Sequence, residues 1–227
     1  MHRQKDKQLI NKLLLTSKVK KGFTLAEVLL VITIVGIIAS YTVPDLVMNV
    51  TKMQRIVAAK KTYSAISNAV NSVREDNNGT LKGMTGDSFY QALLSKFSVI
   101  HVFDRLQQGN TESFYMDVHF LDGTNTNPAL GSYNFQLIDG AIIGTSYSDA
   151  TCTANLGYGV NYFCGLIKFD INGAKSPNTL GEDIFFVFIT NDGIKPYGMY
   201  MATNDCLRTN ANSGWNCMIK ILTDEDY

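Results

Sequence analysis

The sequence is poor in the groups on which catalysis usually rests. It has three histidines, His2, His101 and His119, and the latter two sit in apolar runs where core or strand-surface roles are expected. No H-E-x-x-H and no glycine-rich phosphate loop occur, so the spacings that hold zinc on a helix or cradle a nucleotide are missing. The nearest approach to a nucleophile elbow, Gly144-Thr145-Ser146-Tyr147-Ser148, lacks the second glycine of that pattern. The four cysteines form no C-x-x-C, which argues against a zinc ribbon or a thioredoxin-like site. Formal net charge is zero, so bulk charge favours no nucleic-acid partner. There is no internal repeat.

The zero conceals an uneven distribution. Seven of the 20 basic residues lie within residues 1–22 (Arg3, Lys5, Lys7, Lys12, Lys18, Lys20 and Lys21), with only Asp6 of the 20 acids. The head carries about +6 and the remainder about −6. A basic head before an apolar run is a topology signal that keeps the head in the cytoplasm. That run is residues 23–43, FTLAEVLLVITIVGIIASYTV, whose single charge is Glu27. As a helix it covers the hydrocarbon core of a bilayer, about 30 Å. The apolar region of an ordinary secretory signal is shorter and ends at a small-x-small cleavage site. Here the pattern continues instead through Pro44, which is expected to kink or locally melt the helix.

From Met53 the apolar residues Met53, Ile56, Val57, Tyr63, Ile66, Val70 and Val73 fall on one helical stripe. Asn77-Asn78-Gly79 supplies the stop. A short helix capped at Asp87-Ser88 and running to Phe97 is predicted next, with Phe89, Tyr90, Leu93 and Leu94 inward. Candidate strands then occupy 113–121, 133–138, 166–170, 184–190, 196–201 and 217–222, separated by Asp-Gly and Asn-Gly turns. Asn191-Asp192-Gly193 marks the best hairpin, and 122–132 is the expected flexible loop. The fold class is α+β: a long N-terminal membrane and assembly helix followed by a mainly antiparallel sheet. Its expected divisions are a leader at 1–22, a membrane and core helix at 23–52, an amphipathic helix at 53–78 and a β-rich domain at 79–227.

Residues 20–44, KKGFTLAEVLLVITIVGIIASYTVP, resemble the processing signal of type IV prepilins and of the pseudopilins of type II secretion. Lys20, Lys21, Gly22, Phe23, Thr24, Leu25, Glu27, Gly36 and Pro44 carry the resemblance, which covers about 25 residues. It implies cleavage after Gly22 by a prepilin peptidase and N-methylation of Phe23. It implies that Glu27, costly inside a bilayer unless paired, meets the new ammonium of Phe23 on its own or a neighbouring chain and sets register. It also implies other pilin or pseudopilin subunits, an inner-membrane assembly platform and the lipid bilayer as partners. The protein is then a single-pass membrane protein with its C-terminal domain outside the cytoplasm, later part of a filament. Gly36 and Ser40 form a small-xxx-small pair suited to close helix approach.

If the C-terminal part is exported, the even cysteine count reads as disulfides. Three connectivities are possible. The local pairs Cys152–Cys164 and Cys206–Cys217 are favoured because short loops close most easily, each stabilising by roughly 3 kcal/mol. In the segment DINGAKSPNTLGED, Asp170, Asn172, Asn178 and Asp183 could supply oxygens to calcium. Ala174 and Gly181 depart from the EF-hand pattern, and a polar turn held by Asx hydrogen bonds is the competing reading. Beyond possible calcium, no cofactor is expected. The aromatic residues Tyr197, Tyr200, Trp215 and Tyr227 read as core with hydroxyls at the rim rather than as a ligand platform. The function expected is structural, as a pilus or pseudopilus subunit. The rival is a membrane-anchored adhesin, binding domain or enzyme with an uncleaved anchor, which would need a catalytic cluster in 80–227 that the sequence does not offer.

Overall fold

A computed structural model describes residues 22–103, 116–126, 133–156, 160–198 and 206–225. The chain divides into two compact units, Met1–Val50 and Thr51–Tyr227. Helix α1, Leu25–Asp76, begins in the first and ends in the second. It opens at Leu25, three residues after Gly22, and its assignment continues through Pro44, so the expected local melting is not observed. Its end is chemical. Asn78 takes a left-handed φ of 58° and Gly79 one of 78°, and the Gly79 amide donates to the Arg74 carbonyl at 2.8 Å. That is the long hydrogen bond of a Schellman stop, which residues tolerant of positive φ permit.

Helix α2, Gly86–Leu94, is capped by Thr85 rather than by Asp87-Ser88. The Thr85 hydroxyl accepts from the Ser88 amide at 3.1 Å and the Ser88 hydroxyl accepts from the Thr85 amide at 2.8 Å. This is a capping box, with serine in the third helical position. The helix stops three residues short of Phe97.

Six strands follow: β1 Val99–Val102, β2 Phe135–Leu137, β3 Ile142–Tyr147, β4 Phe163–Asp170, β5 Ile184–Thr190 and β6 Gly193–Pro196. They form one antiparallel sheet in chain order. β5 lies inside it and is buried along its whole length, which explains why it reads as a continuous apolar run instead of alternating. Phe185, Val187 and Ile189 face the main core with Ala59, Ile66, Ala69, Val70 and Val73 of α1. Ile184, Phe186 and Phe188 face the opposite side. There an aromatic layer forms, with Phe186 against Trp215 at 5.1 Å and Phe188 stacked on Tyr197 at 4.7 Å between ring centroids.

Several expectations are corrected. The segment 217–222 is not a strand but the start of helix α3, Cys217–Thr223. Cys217, Met218 and Ile221 are its buried residues, and that spacing is helical. Of 113–121, residues 113–115 lie outside the described residues, and the remainder contributes only an isolated bridge at His119. Of 196–201, Pro196 alone is strand, and 199–201 lie outside the described residues. The described part of 122–132 is a closed turn in which the Phe120 amide donates to Thr124 and the Thr126 amide to Val118. On α1, Met53 and Val57 are exposed. The buried face uses Ala59, Thr62 and Ala69 beside Ile66, Val70 and Val73, because small side chains let the helix approach the sheet closely.

Candidate functional site

The first candidate site is the start of α1. The Glu27 carboxylate accepts from the Thr24 main-chain amide at 2.8 Å and from the Thr24 hydroxyl at 3.0 Å. The Thr24 hydroxyl in turn accepts from the Glu27 amide at 3.2 Å. Thr24-Leu25-Ala26-Glu27 is thus a reciprocal capping box. It satisfies amides that a helix start leaves open and sets the carboxylate at the positive end of the helix dipole. This local role for Glu27 was missed by the sequence reading, although T-x-x-E before an apolar run is its signal.

Everything after this cap is apolar and uncovered. From Phe23 to Val50 the large hydrophobic side chains are between 47% and 85% exposed. The helix is long and apolar enough to cross a membrane, and none of its most apolar stretch is buried within the chain. The hydroxyls on it are turned inward to the helix backbone: Thr33 donates to Leu29, Ser40 to Ile37 and Thr42 to Ile38. Such back-bonding lets a hydroxyl exist in an apolar medium. Gly22 and Gly36 have open space where a side chain would stand. The segment is therefore shaped for surroundings that are not part of this chain.

The second candidate site is the connection from β4 to β5. Asp170 ends β4 and Asp183 precedes β5, and both are fully buried. One Asp170 oxygen, Oδ1, accepts the Asn172 amide at 2.9 Å. Asp183 accepts the Thr179 amide at 2.6 Å, the Asn178 amide at 2.9 Å and the Asn172 side-chain amide at 3.2 Å. Burial, and then the neighbouring Asp183 charge, push the Asp170 carboxyl up to about 8. Burial also raises Asp183, against the pull of its amide donors and of Arg55. The four residues singled out in the sequence are thus brought to one place. Nearby, Arg55 and Arg208 both pair with Glu182, Arg55 at 2.6 Å. Among the described residues no group of three or more His, Cys, Asp or Glu side chains could hold a metal, so any ion here must also use amide oxygens.

Two disulfides brace the same unit, Cys152–Cys164 and Cys206–Cys217. The first closes the β3–β4 connection, and the second ties α3 to the segment before it. Tyr197 and Trp215 belong to the aromatic layer, whereas Tyr200 and Tyr227 lie outside the described residues. His101 is exposed on β1 and His119 is half-buried beside Asn178 and Leu180. Among the described residues neither joins an array of acid, base and nucleophile.

No curated protein and no solved structure matches the chain. A family model does match at residues 17–42, which include the capping box and all but the last residue of the apolar run 23–43. The chain carries the prokaryotic N-terminal methylation motif, the signature of type IV pilins and pseudopilins.

Proposed function

We propose that this chain is a structural subunit of a type IV pilus or of a type II secretion-type pseudopilus. It is inserted with its basic head in the cytoplasmic compartment and cut after Gly22 by a prepilin peptidase. The new terminus at Phe23 is N-methylated. Residues 23–52 anchor the subunit in the inner membrane and later pack in the filament core through the assembly platform, while the residues after them form the exported head.

The observation that carries this reading is the uncovered apolar helix that begins three residues after Gly22. A solvated chain would not keep so much contiguous apolar surface. A bilayer covers it first, and neighbouring copies of the same helix cover it in a filament. Glu27 fits both situations. Its capping box shields the carboxylate while the helix stands alone. Cleavage then creates an ammonium at Phe23, the residue beside Thr24, and a neighbouring chain out of register would leave a charge unpaired.

The experiment is to determine the first residue of the protein recovered from membranes. N-methyl-Phe23 is expected. An intact Met1 would sink the proposal and leave an uncleaved anchor carrying an exported domain.

A further inference from the structure

One exposed turn of the head carries a modification signal that assembly does not use. Asn-x-Ser/Thr, with x any residue but proline, is the pattern that accepts an oligosaccharide on its asparagine in an exported chain. It occurs twice, at Asn49-Val50-Thr51 and at Asn78-Gly79-Thr80. The first lies inside α1. Residues two apart on a helix point away from each other, so Asn49 and Thr51 cannot be offered together to one enzyme site. The second follows the end of α1 at Asp76, where the backbone has left the helix.

The turn sorts its two asparagines. Asn77 holds it closed: its side-chain amide donates to the Thr80 carbonyl at 2.8 Å and to the Lys82 carbonyl at 3.3 Å. Asn78 is exposed, and among the described residues no hydrogen bond reaches its side chain. Two consecutive left-handed residues, Asn78 at φ 58° and Gly79 at φ 78°, put it at the apex. Nothing stands within 4 Å of a carbon added at Gly79, so the surroundings leave room for a bulky group. The Thr80 hydroxyl donates to the Asn191 side-chain oxygen at 2.7 Å and accepts the Lys82 amide at 3.1 Å. An enzyme that needs this hydroxyl therefore reads the segment before the turn closes. Asp76, two positions before Asn78, supplies the acid found in the longer prokaryotic form of the pattern.

We propose that Asn78 is an N-glycosylation site, and that its donor is an oligosaccharide carried on a lipid pyrophosphate at the outer side of the membrane. The Asn78 amide nitrogen forms a bond to the anomeric carbon of the first sugar. The bond from that carbon to the pyrophosphate oxygen breaks, and the lipid pyrophosphate leaves. The amide proton passes to a base of the membrane-bound transferase. The glycan is compatible with the folded head, because the bonds that close the turn belong to Asn77, Thr80 and the Gly79 amide and not to the Asn78 side chain. It adds solvated bulk at a surface turn. The proposal rests on export of the head, which the pilus reading also requires, and not on filament assembly.

The test uses the full chain recovered from membranes of the cells that make it. Trypsin cuts after Arg74 and Lys82 and releases residues 75–82, which contain both asparagines. That peptide should carry an added mass built of sugar units, and fragmentation should place it on Asn78 and not on Asn77. Thr80→Ala should lose the added mass, and Thr80→Ser should keep it, since serine restores the hydroxyl of the pattern. The first residue of the same sample is determined alongside. An unmodified peptide in chains that begin at N-methyl-Phe23 would overturn the site and leave the pilus reading standing. Sugar on Asn78 in chains that keep Met1 would support the site and overturn the pilus reading instead. An unmodified peptide in chains that keep Met1 overturns both. Sugar retained by Thr80→Ala would show attachment independent of the pattern and also overturn the site. Should that variant not fold, the wild-type peptide decides the matter.

Discussion

The two units of this chain use the same kind of residue to opposite ends. In Met1–Val50 the valines, leucines and isoleucines of α1 stand exposed along the described helix. In Thr51–Tyr227 the same residue types are sealed, with Ile66, Val70, Ile143, Ile167, Val187 and Ile189 all at 0% exposure. The second unit has internal reasons for every large apolar residue of its core, because a helix face, a sheet and two disulfides close around them. The first has none. Its stability as a helix comes from local hydrogen bonds and its cap, and its most apolar stretch is left uncovered by the described chain. A buried hydrophobic residue of the second unit is therefore a folding residue, whereas the exposed ones of the first, like Met53 and Val57 just after it, contribute nothing to that core.

The largest effect that could break this division is at Gly22. Gly22→Val should abolish processing, seen as retention of the Met1 terminus by mass spectrometry. Nothing stands within 4 Å of the added carbon, so the fold of the chain should be unchanged. Normal processing of this variant would show that the site does not require backbone access. Glu27→Val tests the sole charge of the apolar run. Cleavage should persist while the share of protein in sheared filaments falls several-fold. Unchanged incorporation would confine Glu27 to its capping role.

Matched truncations in the two units make the comparison quantitative. Phe185→Ala, at a residue 1% exposed, should cost about 3–5 kcal/mol in chemical unfolding of the chain in micelles. Val31→Ala, at 56% exposure, should leave that transition where it was. Equal losses would mean that the first unit is covered by its own chain after all. Replacing Cys206 and Cys217 together by serine should cost roughly 3 kcal/mol by the same assay, from the entropy of an unlinked denatured chain.

The smallest effect concerns the turn after β3. Asp149 accepts the amides of Thr151, Thr153 and Ala154 and the Thr151 hydroxyl. These bonds, the Thr151 hydroxyl foremost, hold its carboxyl down at about 2. A depressed carboxyl stabilises above its unfolded value and loses that contribution as pH falls through its folded one. The difference in melting midpoint between the wild-type chain and Asp149→Ala should therefore be present at pH 5–7 and fade between about pH 4 and 2. A difference independent of pH would place the role of Asp149 in packing.

Local chemistry was the legible part of the fold. The Asn77-Asn78-Gly79 stop, the Asn191-Asp192-Gly193 turn and the apolar run of β5 are set by residues within a few positions of one another. β1 and β3 were not legible, because Val99–Val102 and Ile142–Tyr147 become strands only through partners more than thirty residues away in one case and across the β3–β4 connection in the other. The strand expected at 217–222 failed because a short apolar run carries both periods, and the contacts of Cys217, Met218 and Ile221 chose the helix. At the candidate sites the division is similar. Gly22, Phe23, Thr24, Glu27, Gly36 and Pro44 stand out from their order in the chain, and the Thr24–Glu27 capping box was legible too, in the T-x-x-E spacing before the apolar run.

By itself the sequence determined the membrane-compatible helix and the processing signal before it, since both depend on composition and order over a few tens of residues. It also determined that four oxygen-bearing residues share one loop. Only the tertiary structure decided which cysteines join, which face of α1 meets the sheet, and that the oxygens of Asp170, Asn172 and Asn178 are buried without donors. Burial and unmet hydrogen bonds are properties of what surrounds an atom, and those surroundings are assembled from distant parts of the chain.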